Sequence, residues 1–137
     1  MRQENHTFFF YGTLMDRAIL NRVTGVYFQP FNLRPGILKN FKRVTVKNCN
    51  YPAILESEGN EVEGIVVNGI TADAVGRLDE FEDNNYERKN VTVALLNRSI
   101  VNATAYVAGS EMLLDDIAWD FDSWYRIHRS EFLKRFN

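Results

Sequence analysis

The chain has 137 residues, 45% of them hydrophobic, including ten Phe, six Tyr and two Trp, and its formal net charge is −2. That length suits one domain with one hydrophobic core, so residues 1–137 are read as a single unit. Near-neutral charge with no basic run argues against a nucleic-acid partner, no stretch is long enough to cross a membrane as an apolar helix, and a lone cysteine, Cys49, excludes an intrachain disulfide and suits a reducing compartment.

The opening residues, Met1-Arg2-Gln3-Glu4-Asn5-His6, carry no long apolar signal region, so a cytoplasmic location is the expectation. Asn-X-Ser/Thr triplets at Asn5, Asn90, Asn97 and Asn102 are read as chance matches. His6 to Tyr11 is rich in Phe and bounded by Gly12, which predicts a buried strand stopping at a tight turn. Asp16 is placed to cap a helix from Arg17 to about Val23, with Ile19, Leu20 and Val23 inward and Thr24-Gly25 ending it. Val26 to Lys47 reads as strand and loop, with Pro35-Gly36 as a turn. Tyr51 to Leu55 is extended; Pro52 has no N–H for a ladder, which puts it at a sheet edge or a strand start. Ser57 to Asn60 reads as a turn and Glu61 to Ile70 as a strand.

Thr71 is a good N-cap, with Asp73 in the first turn of a helix running to about Glu82, and Asp83-Asn84-Asn85 breaks that helix. Tyr86 to Leu96 and Ile100 to Val107 read as a hairpin around Asn97-Arg98-Ser99. Asp122 or Ser123 caps a last helix through Arg135, with Trp124, Ile127, Phe132 and Phe136 available for packing. Strands dominate, with two or three helices inserted, and they do not alternate as a doubly wound sheet would. The expected class is therefore α+β, a small mixed sheet or barrel with helices outside.

Two places can carry chemistry. The first is the turn Tyr11-Gly12-Thr13-Leu14. A strand that ends in a glycine turn can point successive N–H groups outward, and such a nest binds a carboxylate or phosphate. A plain strand-to-turn transition has the same local pattern. The second is Glu82. Successive helical residues advance by about 100°, so Val75, Leu78 and Glu82 share one stripe, and the residues that bury the helix carry the carboxylate towards the core. Burial there raises a carboxyl pKa towards neutrality, where a general acid/base works. Fraying of the last helical turn, or an ion pair with Arg88, are the competing readings.

Other candidates carry less. Asp79, Glu80, Glu82, Asp83 and Glu87 lie close together but fit no standard metal loop, so a solvated helix end is expected. His6 and His128 are isolated and no Cys/His ligand set exists, so no metal is expected. Cys49 reads as a packing residue and Trp119 and Trp124 as core or lid residues.

Together the pieces Phe10-Tyr11-Gly12-Thr13-Leu14, Tyr51-Pro52-Ala53-Ile54, Val62-Glu63-Gly64-Ile65-Val66, Leu78-Asp79-Glu80-Phe81-Glu82 and Tyr86-Glu87-Arg88 resemble the gamma-glutamylcyclotransferase-like family, in particular its gamma-glutamylamine cyclotransferase branch. The resemblance runs from about Phe8 to Val107, and the order and separation of the pieces carry it. It implies a small mixed β-barrel flanked by helices, with a cavity at one end. By position it makes Tyr11, Gly12, Thr13 and Leu14 the substrate-binding loop and Glu82 the acid/base glutamate. Tyr86 becomes a tyrosine that orients the substrate or the glutamate.

The implied reaction is an intramolecular cyclisation, of acyltransferase or lyase type. It releases 5-oxoproline and a free amine from a gamma-glutamyl amine and needs no cofactor. The leaving amine stays open: a lysine side chain, a free amino acid, a glutathione-like peptide or a small metabolite. A non-catalytic module that binds a small carboxylate in the same pocket is the alternative. Oligomeric state is open, with monomer as the default.

Overall fold

A computed structural model describes residues 5–82 and 84–136. Six strands run among the described residues: β1 (Asn5–Phe10), β2 (Arg34–Val46), β3 (Pro52–Thr71), β4 (Tyr86–Leu95), β5 (Ile100–Ala108) and β6 (Leu114–Ala118). Four helices accompany them: α1 (Arg17–Thr24), α2 (Ala72–Glu82), α3 (Phe121–Ile127) and α4 (Arg129–Leu133). The sheet order is β3-β1-β5-β4-β2-β6, and a further pairing of β2 with β3 closes five strands into a ring. β1 runs parallel to β5, with Phe8 opposite Thr104, and antiparallel to β3. The result is the small mixed barrel with outer helices that the sequence leads one to expect.

The Phe run of β1 is apolar at every position because both faces of the strand are covered. Side chains alternate across a strand. Phe8 and Phe10 join Ile19, Leu20, Leu78 and Trp124 under the helices, whereas Phe9 and Tyr11 join Leu38, Ile54, Val66 and Val93 inside the barrel. The chain therefore has two apolar clusters on either side of the sheet, where length alone suggests one.

Local punctuation explains both early helices. Asp16 accepts from the N–H groups of Ala18 (3.0 Å) and Ile19 (3.3 Å), and Gly25 closes α1 at φ 73°, a left-handed position glycine fills without strain. Thr71 Oγ1 accepts from the N–H of Ala74 at the start of α2 (3.3 Å). Asn84 and Asn85 form a turn before β4, and Asp83 lies outside the described residues.

Several expectations are corrected. Pro35-Gly36 is no turn: both sit inside β2, with Pro35 opposite Ile65 and Gly36 opposite Gly64. Glycine is needed there because the barrel wall closes tightly. A Cβ on Gly36 would stand 2.7 Å from Val93 Cγ1, and one on Gly64 would stand 2.4 Å from Phe10 O. Ser57 to Asn60 does not interrupt the strand either. β3 runs on for 20 residues, and the four residues form an irregularity opposite Asn40, since Lys39 faces Glu61 and Phe41 faces Glu56. The local φ reversal at Gly59 (87°) and Asn40 (66°) bends the ribbon without ending it. The last helix is capped by Asp120, which accepts from Ser123 N–H, and it is divided into α3, α4 and a 3-10 turn at Lys134–Phe136. β6, which pairs Val44 with Ala118 and Val46 with Leu114, has no counterpart in the sequence reading. No helix among the described residues is long and apolar enough to cross a membrane.

Candidate active site

β1 delivers Tyr11 to one end of the barrel, and a 3-10 turn at Thr13–Met15 follows at once. The N–H groups that open a helical turn have no acceptor inside it. Met15 N–H closes on Gly12 O (3.0 Å) and Asp16 N–H on Thr13 O (3.1 Å), which fixes the loop's shape. A Cβ on Gly12 would meet Pro52 Cγ at 3.0 Å, so the loop lies directly on the start of β3. Behind it, Arg43 donates to Tyr11 O (2.9 Å), Glu63 O (3.0 Å) and Trp119 O (3.1 Å), clamping the end of β1 to two other segments.

Glu82 comes from the last turn of α2. Val75 and Leu78, on the same stripe, are buried, and they turn the carboxylate inward. A cavity of about 610 Å³ is lined by Tyr11, Gly12, Thr13, Leu14, Glu82 and Tyr86 together. The two segments singled out in the sequence therefore meet in one hollow.

Burial raises the Glu82 carboxyl from an ordinary 4.5 to about 8. Among the described residues, no cation pairs with it and no donor reaches it. Arg88 does not serve that role, since its Nε faces Asp79 Oδ1 at 3.5 Å. A carboxylate in this setting is divided between its two protonation states near neutral pH, as proton transfer in both directions requires.

Four tyrosines, Tyr11, Tyr51, Tyr86 and Tyr106, line the cavity. Tyr11 donates to Tyr106 O (2.6 Å), Tyr86 donates to Pro52 O (2.7 Å), and Tyr106 donates to Asp79 Oδ1 (2.7 Å). The proton of Tyr86 is thus committed to Pro52 and is not offered to Glu82. Asp79, one helical turn before Glu82, is held by Tyr106 and Arg88. Among the described residues, no group of three or more His, Cys, Asp or Glu is arranged to hold a metal ion.

Sequence reasoning passes over part of the wall. Cys49 lines the cavity, as do Met112, Phe132 and Arg135 from the stretch after Ala108. Arg135 lies over the rings of Phe81 (5.7 Å) and Phe132 (4.8 Å). Trp119 and Trp124 are buried core residues. A second missed element supports the loop from outside: Asp16, whose side chain is 4% exposed, pairs with Arg129 of α4.

Comparison with known proteins gives one family. The model of the gamma-glutamyl cyclotransferase, AIG2-like family matches residues 8–126. AIG2-like protein D of Arabidopsis thaliana is 37% identical over 139 residues, covering 94% of this chain and 85% of that protein. A solution structure of an Arabidopsis thaliana protein superposes with a TM-score of 0.73 at 28% identity, covering 97% of this chain and 80% of that one. A structure named gamma-glutamyl cyclotransferase superposes with a TM-score of 0.65 at 17% identity, over 81% of this chain and 70% of that one, which shows a shared fold.

Proposed function

The chain belongs to the gamma-glutamyl cyclotransferase, AIG2-like family, and on that premise we propose that it cyclises gamma-glutamyl amines to 5-oxoproline and a free amine. The observation that carries this reading is the unpaired Glu82 carboxyl, raised to about 8 by burial, in the same cavity as the 11–14 loop.

In this reading the loop amides from Gly12 to Leu14 hold the α-carboxylate of the substrate. Glu82, ionised, takes a proton from the α-ammonium. The neutral amine attacks the γ-carbonyl carbon of the same molecule and forms a tetrahedral oxyanion. The bond from that carbon to the leaving nitrogen then breaks, and Glu82 returns its proton to the departing nitrogen. The ring nitrogen releases its surplus proton as it becomes an amide. No atom is added, so substrate and products have the same composition. The nucleophile is already tethered, which removes much of the entropic barrier; orientation and proton transfer are what the protein supplies.

Incubation of the protein with a panel of gamma-glutamyl amines in ¹⁸O-labelled water tests this. Equimolar 5-oxoproline and amine are expected, with no label in the 5-oxoproline. Labelled glutamate would show hydrolysis instead. Binding of 5-oxoproline without turnover on any member of the panel would make the pocket a carboxylate-binding module.

A further inference from the structure

We propose that Arg135 determines which leaving amine the cavity accepts, by pairing with a carboxylate carried on an apolar body; this deepens the gamma-glutamyl reading above and rests on it. Arg135 stands in the 3-10 turn Lys134–Phe136, beyond residue 126, where the family match ends. The family match therefore does not supply this role.

The cavity is graded in burial. Tyr11, Thr13, Leu14 and Pro52 are buried, whereas Lys47, Glu111, Leu113 and Arg135 are exposed. With the head group of the substrate at the 11–14 loop and Glu82, the leaving amine extends from the γ-carbon towards the exposed wall. The volume of about 610 Å³ falls in the ~300–1,000 Å³ range that encloses a drug-sized ligand, so the leaving group is taken up with the head group.

The exposed wall carries two cations, Lys47 and Arg135, against one anion, Glu111. Lys47 N–H donates to Leu113 O (2.9 Å), two residues from Glu111, so those two opposite charges come from neighbouring segments and offset each other. Arg135 comes from a different segment. Its guanidinium lies 4.8 Å from the ring centre of Phe132 and 5.7 Å from that of Phe81, and those two rings meet edge-on at 6.2 Å. Ring faces hold a guanidinium in place without neutralising it. Arg88 and Arg129 face Asp79 and Asp16, whereas no carboxylate among the described residues pairs with Arg135. Glu82 is mostly protonated below about 8, so at neutral pH it adds little repulsion to an incoming anion.

Met112, Leu113 and Phe132 add apolar surface to the same wall. The complement of this wall is an amine with an apolar body and a carboxylate, as in an apolar α-amino acid. A leaving group with a second ammonium, as in a diamine, would meet the two cations instead.

The test uses two unreactive probes, glutaryl-L-phenylalanine and glutaryl-phenethylamide. Both lack the α-amine, so neither can cyclise, and they differ only in the carboxylate of the leaving group. Calorimetric titration of the full chain at neutral pH is expected to show wild type binding glutaryl-L-phenylalanine about tenfold more tightly, the scale of one charge-assisted hydrogen bond. Arg135→Gln should reduce that ratio to below about threefold and leave the phenethylamide affinity unchanged. Arg135→Lys should keep part of the preference, and Lys47→Gln most of it. Raising salt from about 0.05 M to about 0.5 M should shrink the preference of wild type, which a packing role would not do.

If Arg135→Gln also weakens the phenethylamide, the salt dependence of wild type decides. Failure of wild type to prefer glutaryl-L-phenylalanine, including failure to bind either probe, overturns the assignment. So does a preference that persists in Arg135→Gln, or one that salt does not touch. Turnover is read separately, as 5-oxoproline released from γ-L-glutamyl-L-phenylalanine and γ-L-glutamyl-phenethylamide. An Arg135-dependent binding preference with no 5-oxoproline from either would refute the cyclisation and keep the subsite, whereas 5-oxoproline from both without the preference would do the reverse.

Discussion

Glu82→Gln is expected to lower 5-oxoproline release by about 10²–10⁴-fold, the range a positioned general base supplies. Glutamine preserves the size and polarity of the side chain, so the stripe of Val75 and Leu78 that seats α2 is untouched. The same variant carries its own proof of folding. The folded chain holds the Glu82 proton at about 8, against 4.5 for the unfolded chain. A carboxyl raised in this way favours the fold while it is protonated. That advantage is whole below 4.5 and is lost as pH climbs through 8. Glutamine never ionises. The variant should therefore melt like wild type at low pH and at a higher temperature from neutrality upward, with a margin on the order of a few kcal/mol above the folded pKa. Full activity in Glu82→Gln, or a melting temperature below that of wild type at pH 9, would remove the carboxylate from the mechanism.

The second large effect lies outside the cavity. Arg129→Ala is expected to destabilise the chain by about 2–3 kcal/mol, somewhat less than for a fully buried pair because the Arg129 side chain is 25% exposed. It would leave the Asp16 carboxylate, 4% exposed, with only the Ala18 and Ile19 N–H groups. Asp16 N–H also donates to Thr13 O, so the ion pair ties α4 to the loop that faces Glu82. A fall in melting temperature of roughly 10 °C should accompany the loss. In an Asp16→Asn background, which keeps the cap and removes the charge, the same substitution should cost far less. Equal costs in both backgrounds would show that Arg129 acts by packing alone.

What could be read in the chain, and what could not, follows from the range of the forces involved. The Phe run to Gly12, the cap at Asp16, the stop at Gly25 and the cap at Thr71 are local signals, and the elements they define are observed. Helical phase alone turned Glu82 inward with Val75 and Leu78. The six site residues named from sequence all line one cavity, although 11–14 and 82 are far apart along the chain.

The errors come where tertiary closure overrides local chemistry. Pro35-Gly36 and Ser57 to Asn60 carry turn residues, yet barrel closure needs glycine for close approach at Gly36 and tolerates a bend opposite Asn40. Beyond Ala108, β6 is short and carries Asp115 and Asp116, so its alternation is faint. The roles of Arg43, Tyr106, Arg129 and Arg135 depend on partners distant in sequence. No spacing rule reports a guanidinium that clamps three backbone segments together.

The most direct measurement is a titration of the Glu82 side-chain carboxyl by ¹³C chemical shift in the full chain. The account predicts a midpoint near 8, and a 5-oxoproline release rate that rises with pH through the same value as the base becomes ionised. A midpoint at the ordinary 4.5 would mean an acid open to water, and the sheltered base proposed here would not exist.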